Sequence, residues 1–236
     1  MVQVTTFKKN TASIAQEFDP RTIDYTLTDP SQVATNRLGS FLKAMLDYCI
    51  TIPGVLLISP LLVLIALMVR LDSPGPIIHR RRVLGRNGRV FYALKFRTMH
   101  VNGDEILARY PKLKEELDKN YKLKFDPRVT RVGVILRKYS LDELPQLFNV
   151  LAQDMSLIGP RIIAPAEIVK YGPYGATLLT AMPGLTGLWQ VSGRSDTSYD
   201  DRVNLDMQYI HEWSIWTDIK ILFRTPLVIL RGDGAY

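Results

Sequence analysis

The stretch YCITIPGVLLISPLLVLIALMV, residues Tyr48–Val69, decides the fold because it carries no charged residue. As a helix rising 1.5 Å per residue it would reach roughly 33 Å, enough to cross the hydrocarbon core of a bilayer. Pro60 removes one backbone hydrogen bond and crowds the carbonyl of Leu56, while Ser59 offers a hydroxyl to the freed groups. The stretch therefore predicts a membrane-embedded helix that breaks at Ser59-Pro60.

Basic residues flank this apolar stretch on both sides. Arg37 and Lys43 precede it, and Arg70 and the run Arg80–Arg82 follow it. Because positively charged segments stay in the cytoplasm, a crossing helix with two basic flanks has no clear orientation. A re-entrant helix hairpin keeps both flanks in the cytoplasm. The re-entrant hairpin and a kinked crossing helix remain open interpretations, and a buried helix of a soluble core is a third, less favoured one.

The composition favours anionic partners. The 236 residues include 30 Lys and Arg against 23 Asp and Glu, a net charge of +7, which suits phospholipids, nucleotides, phosphates or nucleic acid. Nucleic acid is disfavoured, because the charge surrounds an apolar segment and no nucleic-acid-binding motif is present. The single cysteine, Cys49, excludes an intramolecular disulfide and is expected to be a packed, unreactive thiol. Residues 1–36 show no secretory signal and predict a flexible polar tail.

The segment after the apolar stretch predicts a β-hairpin. Two β-prone runs, residues 77–84 and 89–99, are joined by a turn that contains Asn87-Gly88, a strong hairpin signal. Lys95 and Arg97 alternate with aromatic residues, a pattern that suits phosphate contact or simply a half-solvated strand. Alternating charges over residues 103–124 predict one exposed helix. An aromatic amphipathic segment from Trp213 to Arg224 predicts a helix that lies either on the bilayer or in the core.

Two adjacent carboxylates lie in SLDELPQLFNV, residues Ser140–Val150. If Ser140 caps a helix, Pro145 is the fifth helical residue and costs stability; if Asp142 is the cap, Pro145 takes the third position, whose N–H is unpaired anyway. Either start places Asp142 and Glu143 at the positive end of a helix, which favours their ionised forms. Helix capping and catalysis both remain open for this pair.

Two glycine-rich turns end in arginine, Gly159-Pro160-Arg161 and the run Pro183–Arg194. Glycine allows the backbone to approach a ligand closely, and arginine binds phosphate oxygens through two parallel hydrogen bonds. These turns therefore predict phosphate contacts. His79, His100 and His211 have no mutual spacing that indicates a metal site and are expected at the surface or at an interface.

Together these segments resemble the bacterial sugar transferase family, the monotopic polyprenyl-phosphate hexose-1-phosphate transferases, over roughly residues 36–231. The chain looks closest to the short exopolysaccharide enzymes that prime with galactose 1-phosphate. The matching motifs occur in the family's order: Ser59-Pro60, Lys95–Met99, Asp126–Thr130, Asp142–Asn149, Asp154–Arg161 and Pro183–Arg194.

The resemblance implies a reaction and a set of roles. Hexose 1-phosphate would move from a UDP-sugar to undecaprenyl phosphate with release of UMP, assisted by Mg²⁺. Asp142 would be the nucleophile that forms a covalent aspartyl-phosphosugar intermediate, and Glu143 would assist by metal binding or proton handling; both are expected metal ligands. The expected substrate- and phosphate-binding residues are Lys95, Arg137, Arg161, Arg194 and Gln190.

The resemblance also implies an architecture: an α+β, mostly helical monotopic membrane protein with a small β-hairpin and interfacial amphipathic helices. Residues 1–36 would form the tail, residues 37–73 a re-entrant membrane helix hairpin that breaks at Ser59-Pro60, and residues 74–236 a catalytic domain on the cytoplasmic face of the bacterial inner membrane. The implied partners are the two substrates, the bilayer and downstream glycosyltransferases, without nucleic acid. A UDP-glucose or acetamido-sugar donor, or a non-enzymatic membrane-anchored scaffold, are the alternatives.

The chain departs from the family's usual pattern at two positions. Ile162 follows Gly-Pro-Arg where the family usually has proline, and Met182 precedes Pro-Gly where it usually has arginine. The first change is expected to loosen the loop that carries Arg161, and the second removes a phosphate or nucleotide contact.

Overall fold

The computed structural model describes residues 37–120, 123, 125–193 and 198–231, so the expected tail over residues 1–36 lies outside the described residues. Its longest element is helix α1 (Arg37–Asp72), which contains Pro53 and Pro60. By length and composition this helix is apolar enough to cross a membrane. Much of its outward surface does not pack against the rest of the protein: the apolar side chains of Leu56, Leu57 and Val63 are 71%, 83% and 69% exposed.

One stripe of α1 lies against the globular body along both halves of the helix. In the first half, Lys43 Nζ lies 2.6 Å from Asp218 Oδ2, and Asp47 Oδ1 accepts 3.0 Å hydrogen bonds from Ser156 Oγ and Leu157 N. In the second half, Ile65 and Val69 are buried beside Phe96 and Leu136. Asp72 Oδ2 then accepts a 3.0 Å hydrogen bond from Val132 N. Both ends of the apolar helix are therefore fixed to the same body.

The helix runs through Ser59-Pro60, so the structure does not confirm a hairpin of two separate helices. Pro60 has no N–H for the carbonyl of Leu56, and Ser59 Oγ donates a 2.8 Å hydrogen bond to that oxygen instead. The role predicted for the serine is confirmed. The expectation for Cys49 is wrong, because its thiol is exposed.

Strands β1 (Ile78–Leu84) and β2 (Val90–Phe96) form the predicted antiparallel hairpin. Its turn, residues 86–88, has Asn87 in the left-handed region at φ 57°, a conformation that asparagine tolerates. Phe91 and Ala93 face the core, whereas Tyr92 is 56% exposed on the opposite side. Residues 91–93 therefore alternate between the core and the outer side of the hairpin.

Arg97 holds the end of α1 instead of facing a phosphate. This buried side chain donates through Nη2 to Ser73 O at 2.6 Å and to Val69 O at 3.3 Å, and through Nη1 to the carbonyl of Pro74. A helix leaves its last carbonyls without backbone partners, and the guanidinium supplies the donors for this end. The phosphate role considered for Arg97 is therefore not supported.

The rest of the described chain is mostly helical, with a second small sheet, so the predicted α+β class is confirmed. A single helix over residues 103–124 is wrong, because Pro111 disfavours a helical conformation of the residue before it and two helices form. The remaining elements are α2 (Gly103–Ala108), α3 (Pro111–Asn120), α4 (Arg131–Lys138), α5 (Gln146–Leu151), β3 (Ser156–Ile158), α6 (Gly175–Thr180), β4 (Gly184–Thr186), α7 (Leu188–Val191), α8 (Tyr199–His211) and α9 (Ile215–Arg231).

Helix α9 has one face in the core and one exposed apolar face. Ile221 is 2% exposed and Asp218 is fully buried, so one face belongs to the core. Trp216 and Phe223 are 70% and 74% exposed on the other face. An amphipathic helix with one packed face and one bare aromatic face is typical of the membrane interface.

Asn149 joins helix α5 to the hairpin. Its Oδ1 accepts a hydrogen bond from Leu94 N at 2.9 Å, and its Nδ2 donates one to Tyr92 O at 2.9 Å. The buried amide thus forms the two hydrogen bonds that a neighbouring strand would form with this edge of β2. It fixes the strand that carries Lys95 relative to the helix that follows the carboxylate pair.

We expect Asn149→Leu to lower the free energy of unfolding by about 2 kcal/mol or more, because the substitution leaves a backbone N–H and a carbonyl without partners. Asn204→Leu, the same change at an exposed position of α8, should have little effect. Equilibrium unfolding in detergent, followed by tryptophan fluorescence, measures both variants. Equal stabilities of the two variants would contradict the bridging role of Asn149.

Candidate active site

A cavity of about 1440 Å³ opens between the β1–β2 hairpin, the Leu141–Glu143 turn and helices α7 and α8. It brings together the six predicted site residues that the structure describes: Lys95, Arg137, Asp142, Glu143, Arg161 and Gln190. Arg194 lies outside the described residues. Ser59 and Pro60 are on α1 and do not line the cavity.

The carboxylate pair lies on a single 3₁₀ turn, Leu141–Glu143, and not in the first turn of a longer helix. Ser140 precedes the turn at φ 53° and makes no side-chain cap, and α5 begins only at Gln146, after Pro145. The start after Ser140 is confirmed only as one 3₁₀ turn without a side-chain cap, and the start at Asp142 is wrong. The left-handed backbone of Ser140 turns the chain away from helix α4 before the carboxylates, and proline takes the position just before the next helix.

Glu143 is held between two cations. Its Oε1 lies 2.6 Å from Lys95 Nζ and 2.8 Å from Arg161 Nη2, and its Oε2 accepts a 3.2 Å hydrogen bond from Arg161 Nη1. Burial alone would raise the pKa of Glu143, but Arg161 and Lys95 outweigh it and hold this pKa well below its ordinary value. Glu143 is therefore a fixed negative charge that holds Lys95 and Arg161 in place.

Asp142 has a different environment although it is the adjacent residue. It is 8% exposed, and Lys95 Nζ lies 3.7 Å from Oδ2, too far for a hydrogen bond. Burial raises the pKa of Asp142, the nearby charge of Glu143 raises it further, and Lys95 and Arg137 only partly offset both effects. The sequence predicted that the ionised form would be favoured, but at Asp142 burial acts in the opposite direction. The carboxylate oxygens of Asp142 remain available to a ligand in the cavity.

Arg137 approaches the carboxylate pair from helix α4. Its Nε donates a 2.9 Å hydrogen bond to Oγ1 of Thr98, two residues after the end of strand β2. Burial lowers the pKa of Arg137, and the charge of Asp142 acts in the opposite direction. The two side chains therefore interact electrostatically, and Arg137 places a fixed positive charge beside the cavity.

Close backbone packing positions the loop that carries Arg161. A Cβ on Gly184 would collide with the backbone of Gly159, and a Cβ on Gly187 would collide with the carbonyl of Gly159. These glycines therefore let two chain segments approach each other; the sequence had suggested that they make room for a ligand. Ile162 is 2% exposed in the core, so it anchors the loop and the predicted loosening is not observed.

Asp206 holds the same loop from helix α8. Its Oδ1 accepts a 3.2 Å hydrogen bond from Arg161 N, and its Oδ2 accepts one from Tyr171 OH at 2.7 Å. Burial raises the pKa of Asp206 to about 6, against the lowering effects of the Tyr171 hydrogen bond and the Arg202 charge. The backbone at Arg161 is thus fixed independently of its side chain.

Sequence reasoning missed several residues that shape the cavity. Arg81 Nη2 pairs with Glu167 Oε2 at 2.9 Å, and Arg202 lies against the ring of Trp189. The hairpin register does contain a signal for Arg81, because opposite residues and alternate residues share a face with Lys95. Arg202 has no comparable signal, since α8 is far from the other motifs along the chain.

The cavity offers hard oxygen ligands but no preformed cluster of metal ligands. Within residues 37–120, 123, 125–193 and 198–231, no group of three or more His, Cys, Asp or Glu side chains could hold an ion. Magnesium commonly takes one or two carboxylates and completes its shell with water and substrate phosphate. Because Asp142 makes no hydrogen bond within the described part of the chain and both oxygens of Glu143 face cations, Asp142 is the better of the two predicted ligands.

Comparison with known proteins gives consistent matches. The family profile described as bacterial sugar transferase matches residues 38–232. The chain is 48% identical over 204 residues to the "Undecaprenyl-phosphate galactose phosphotransferase" of Salmonella typhimurium, covering 85% of this chain and 43% of that protein. It is 42% identical over 207 residues to the "Exopolysaccharide production protein ExoY" of Rhizobium meliloti, covering 86% of this chain and 92% of that protein.

A third relative carries a different sugar in its name. The "UDP-glucose:undecaprenyl-phosphate glucose-1-phosphate transferase" of Escherichia coli is 42% identical over 218 residues, covering 89% of this chain and 44% of that protein. The chain thus spans less than half the length of the Salmonella and Escherichia relatives. The profile match and these identities show that the chain belongs to the bacterial sugar transferase family.

Proposed function

We propose that the protein is a phosphoglycosyl transferase that moves a hexose 1-phosphate from a UDP-sugar to undecaprenyl phosphate and releases UMP. The observation that carries the proposal is a buried carboxylate, Asp142, that makes no hydrogen bond to the described residues and lies beside Lys95 and a Glu143–Arg161 pair. Phosphoryl transfer requires positioning and neutralisation of charge more than covalent assistance. A cavity lined with fixed cations around one available carboxylate suits that requirement.

Asp142 is the nucleophile in this proposal. One carboxylate oxygen attacks the phosphorus next to the sugar, the bond between that phosphorus and the bridging oxygen breaks, and UMP leaves with the bridging oxygen. A phosphate oxygen of undecaprenyl phosphate then attacks the aspartyl phosphosugar at the same phosphorus. Cleavage of the acyl phosphate bond restores Asp142 and forms the lipid-linked diphosphosugar. Both attacks join two anions, so they depend on the surrounding positive charges.

Glu143 supports the reaction by holding cations in place. Its pKa is well below its ordinary value, so it retains its charge at neutral pH and is a poor proton carrier. It fixes Lys95 and Arg161 near Asp142. This favours a positioning role over the proton handling considered for it. Mg²⁺, held by Asp142, would add charge neutralisation at the substrate phosphates.

The bare faces of α1 and α9 support attachment to the cytoplasmic face of the inner membrane. Both halves of α1 are fixed to one body, so a helix that enters one leaflet and leaves both flanks on the same side fits the contacts better than a crossing helix. This arrangement would place the cavity near the lipid headgroups, where the phosphate of undecaprenyl phosphate could enter it and downstream glycosyltransferases could collect the product.

Galactose 1-phosphate is the proposed cargo. The Salmonella relative, at 48% identity, carries galactose in its name. Glucose 1-phosphate is the second candidate, supported by the name of the Escherichia relative at 42% identity. A panel of UDP-sugars scored by UMP release separates the two donors, and UDP-galactose should give the higher kcat/KM. A higher kcat/KM for UDP-glucose would contradict the galactose assignment.

Asp142→Asn should lower the rate of UMP release by about a thousandfold or more, as expected for loss of a nucleophile. The amide keeps the size of the side chain but cannot form the acyl phosphate. Asp200→Asn, the same change at an exposed position of α8, should leave the rate within about twofold. Full activity of Asp142→Asn would rule out Asp142 as the nucleophile, whereas no UMP release by the unsubstituted protein would leave the scaffold interpretation.

The pH dependence of the first half-reaction should report the ionisation of Asp142. Because burial raises its pKa, activity should be present above this raised value and be lost at a higher pH than for an ordinary aspartate as the pH falls. Glu143→Gln removes a like charge and frees Lys95, so the acid limb should move to lower pH. Arg137→Met removes an opposite charge and should move the limb to higher pH.

Single-turnover UMP release, measured from acid to neutral pH for both variants, checks these opposite directions. An acid limb that moves the same way in both variants, or in neither, would mean that the titrating group is not Asp142.

Cysteine labelling tests the topology. In a Cys49→Ser background, Ser40→Cys and Arg80→Cys place thiols before and after the apolar stretch. Both should react with an impermeant reagent only from the cytoplasmic side of membrane vesicles. Labelling from opposite sides would establish a crossing helix.

A further inference from the structure

Arg202 lies in a cage of aromatic rings at the wall of the cavity. Its guanidinium carbon is 5.1 Å from the ring centre of Trp189, 5.1 Å from that of Tyr199 and 5.9 Å from that of Tyr171. The side chain is only 12% exposed. Cation–π contacts on several sides fix the plane of the guanidinium and remove much of its freedom.

Two donors of this caged arginine have no hydrogen-bond partner. Arg202 Nε and Nη2 are buried, and neither makes a hydrogen bond to the described residues. Asp206 Oδ2 lies 4.0 Å from Nε, beyond hydrogen-bonding distance. Both oxygens of Asp206 already accept hydrogen bonds, from Arg161 N and Tyr171 OH. Buried donors without partners are costly, so their presence at a cavity wall indicates a missing ligand.

Four other cations of the cavity wall differ from Arg202 in this respect. Lys95 and Arg161 bind Glu143, Arg81 binds Glu167, and Arg128 binds Asp126 through several hydrogen bonds. Their donors are at least partly satisfied by protein carboxylates. Arg202 combines a fixed guanidinium with two unused donors.

Trp189 connects Arg202 to the carboxylate pair. The guanidinium of Arg161 lies 5.9 Å from the centre of this indole ring, so the two arginines contact the same ring. Arg161 in turn holds Glu143, the neighbour of Asp142. An anionic group bound at Arg202 would therefore lie in the same cavity as the carboxylate pair, one indole ring away from the arginine that holds Glu143.

We propose that Arg202 binds a phosphate group of a substrate, with Nε and Nη2 donating to two phosphate oxygens. A planar guanidinium with two parallel donors matches this geometry. The assignment rests on the proposed function, which supplies two phosphate-bearing substrates. The phosphate belongs either to the nucleotide diphosphate or to the polyprenyl phosphate, and the chemistry at Arg202 is the same for both.

Binding to a protein that cannot turn over tests this assignment. In the full-length Asp142→Asn protein in detergent, titration calorimetry measures the dissociation constants of UDP and of a short-chain polyprenyl phosphate. Arg202→Gln should weaken one of the two ligands about tenfold or more, as for loss of charge-assisted hydrogen bonds, and leave the other unchanged. The ligand that weakens identifies the source of the phosphate.

Two further variants separate phosphate binding from structural effects. Arg202→Lys keeps the charge but lacks the planar pair of donors, so it should also weaken the same ligand severalfold. Arg109→Gln removes one exposed positive charge and should leave both dissociation constants unchanged. Thermal unfolding of each variant checks that it is folded. If Arg202→Gln does not fold, the binding measurement is made with Arg202→Lys instead.

Unchanged dissociation constants in a folded Arg202 variant would overturn the assignment alone, as would a fall in thermal stability without any effect on binding. If Arg109→Gln and Arg202→Gln weakened both ligands equally, the effect would come from the net charge of the protein and not from a contact with Arg202. That result would also overturn the assignment. If the protein with Arg202 intact binds neither UDP nor polyprenyl phosphate, the proposed function itself fails.

Discussion

The pairing of Glu143 with Lys95 and Arg161 is the interaction on which the rest of the site depends. It brings strand β2, the 3₁₀ turn and the loop after β3 to one point. Three distant segments thereby contribute charge to one cavity. The same pairing separates the roles of two adjacent acids, because it occupies both oxygens of Glu143, while Asp142 forms no hydrogen bond with any residue that the structure describes. Without it, Lys95 and Arg161 would lose their common anchor.

The scaffold around this pairing explains its precision. Asn149 holds the strand of Lys95, the glycine contacts of Gly159 fix the crossing of two loops, and Asp206 holds the backbone of Arg161. Each of these contacts fixes the backbone, so the side chains that line the cavity start from fixed positions. Such preorganisation is what charge stabilisation during phosphoryl transfer requires.

The sequence predicted features that depend on short-range rules. The Asn87-Gly88 turn identified the hairpin, and the Ser59 hydroxyl beside Pro60 followed from one missing N–H. Short-range rules failed where two of them favour different structures. Capping preferences favoured a helix that starts at Ser140 or Asp142. The left-handed backbone of Ser140 and the ring of Pro145 instead leave a single 3₁₀ turn, and the α-helix begins at Gln146. The family resemblance supplied the candidate site residues. Arg202 was missed because its aromatic cage comes from segments that meet only in the folded chain.

Direct detection of the covalent intermediate tests the central claim, that Asp142 accepts the phosphosugar. The purified protein is incubated with UDP-galactose in the absence of lipid acceptor, quenched and digested, and the peptides are analysed by mass spectrometry. A hexose phosphate on the side chain of Asp142, discharged when polyprenyl phosphate is added before quenching, is the predicted result. Rapid turnover with both substrates, but no adduct on Asp142 at any time after mixing, would contradict the account.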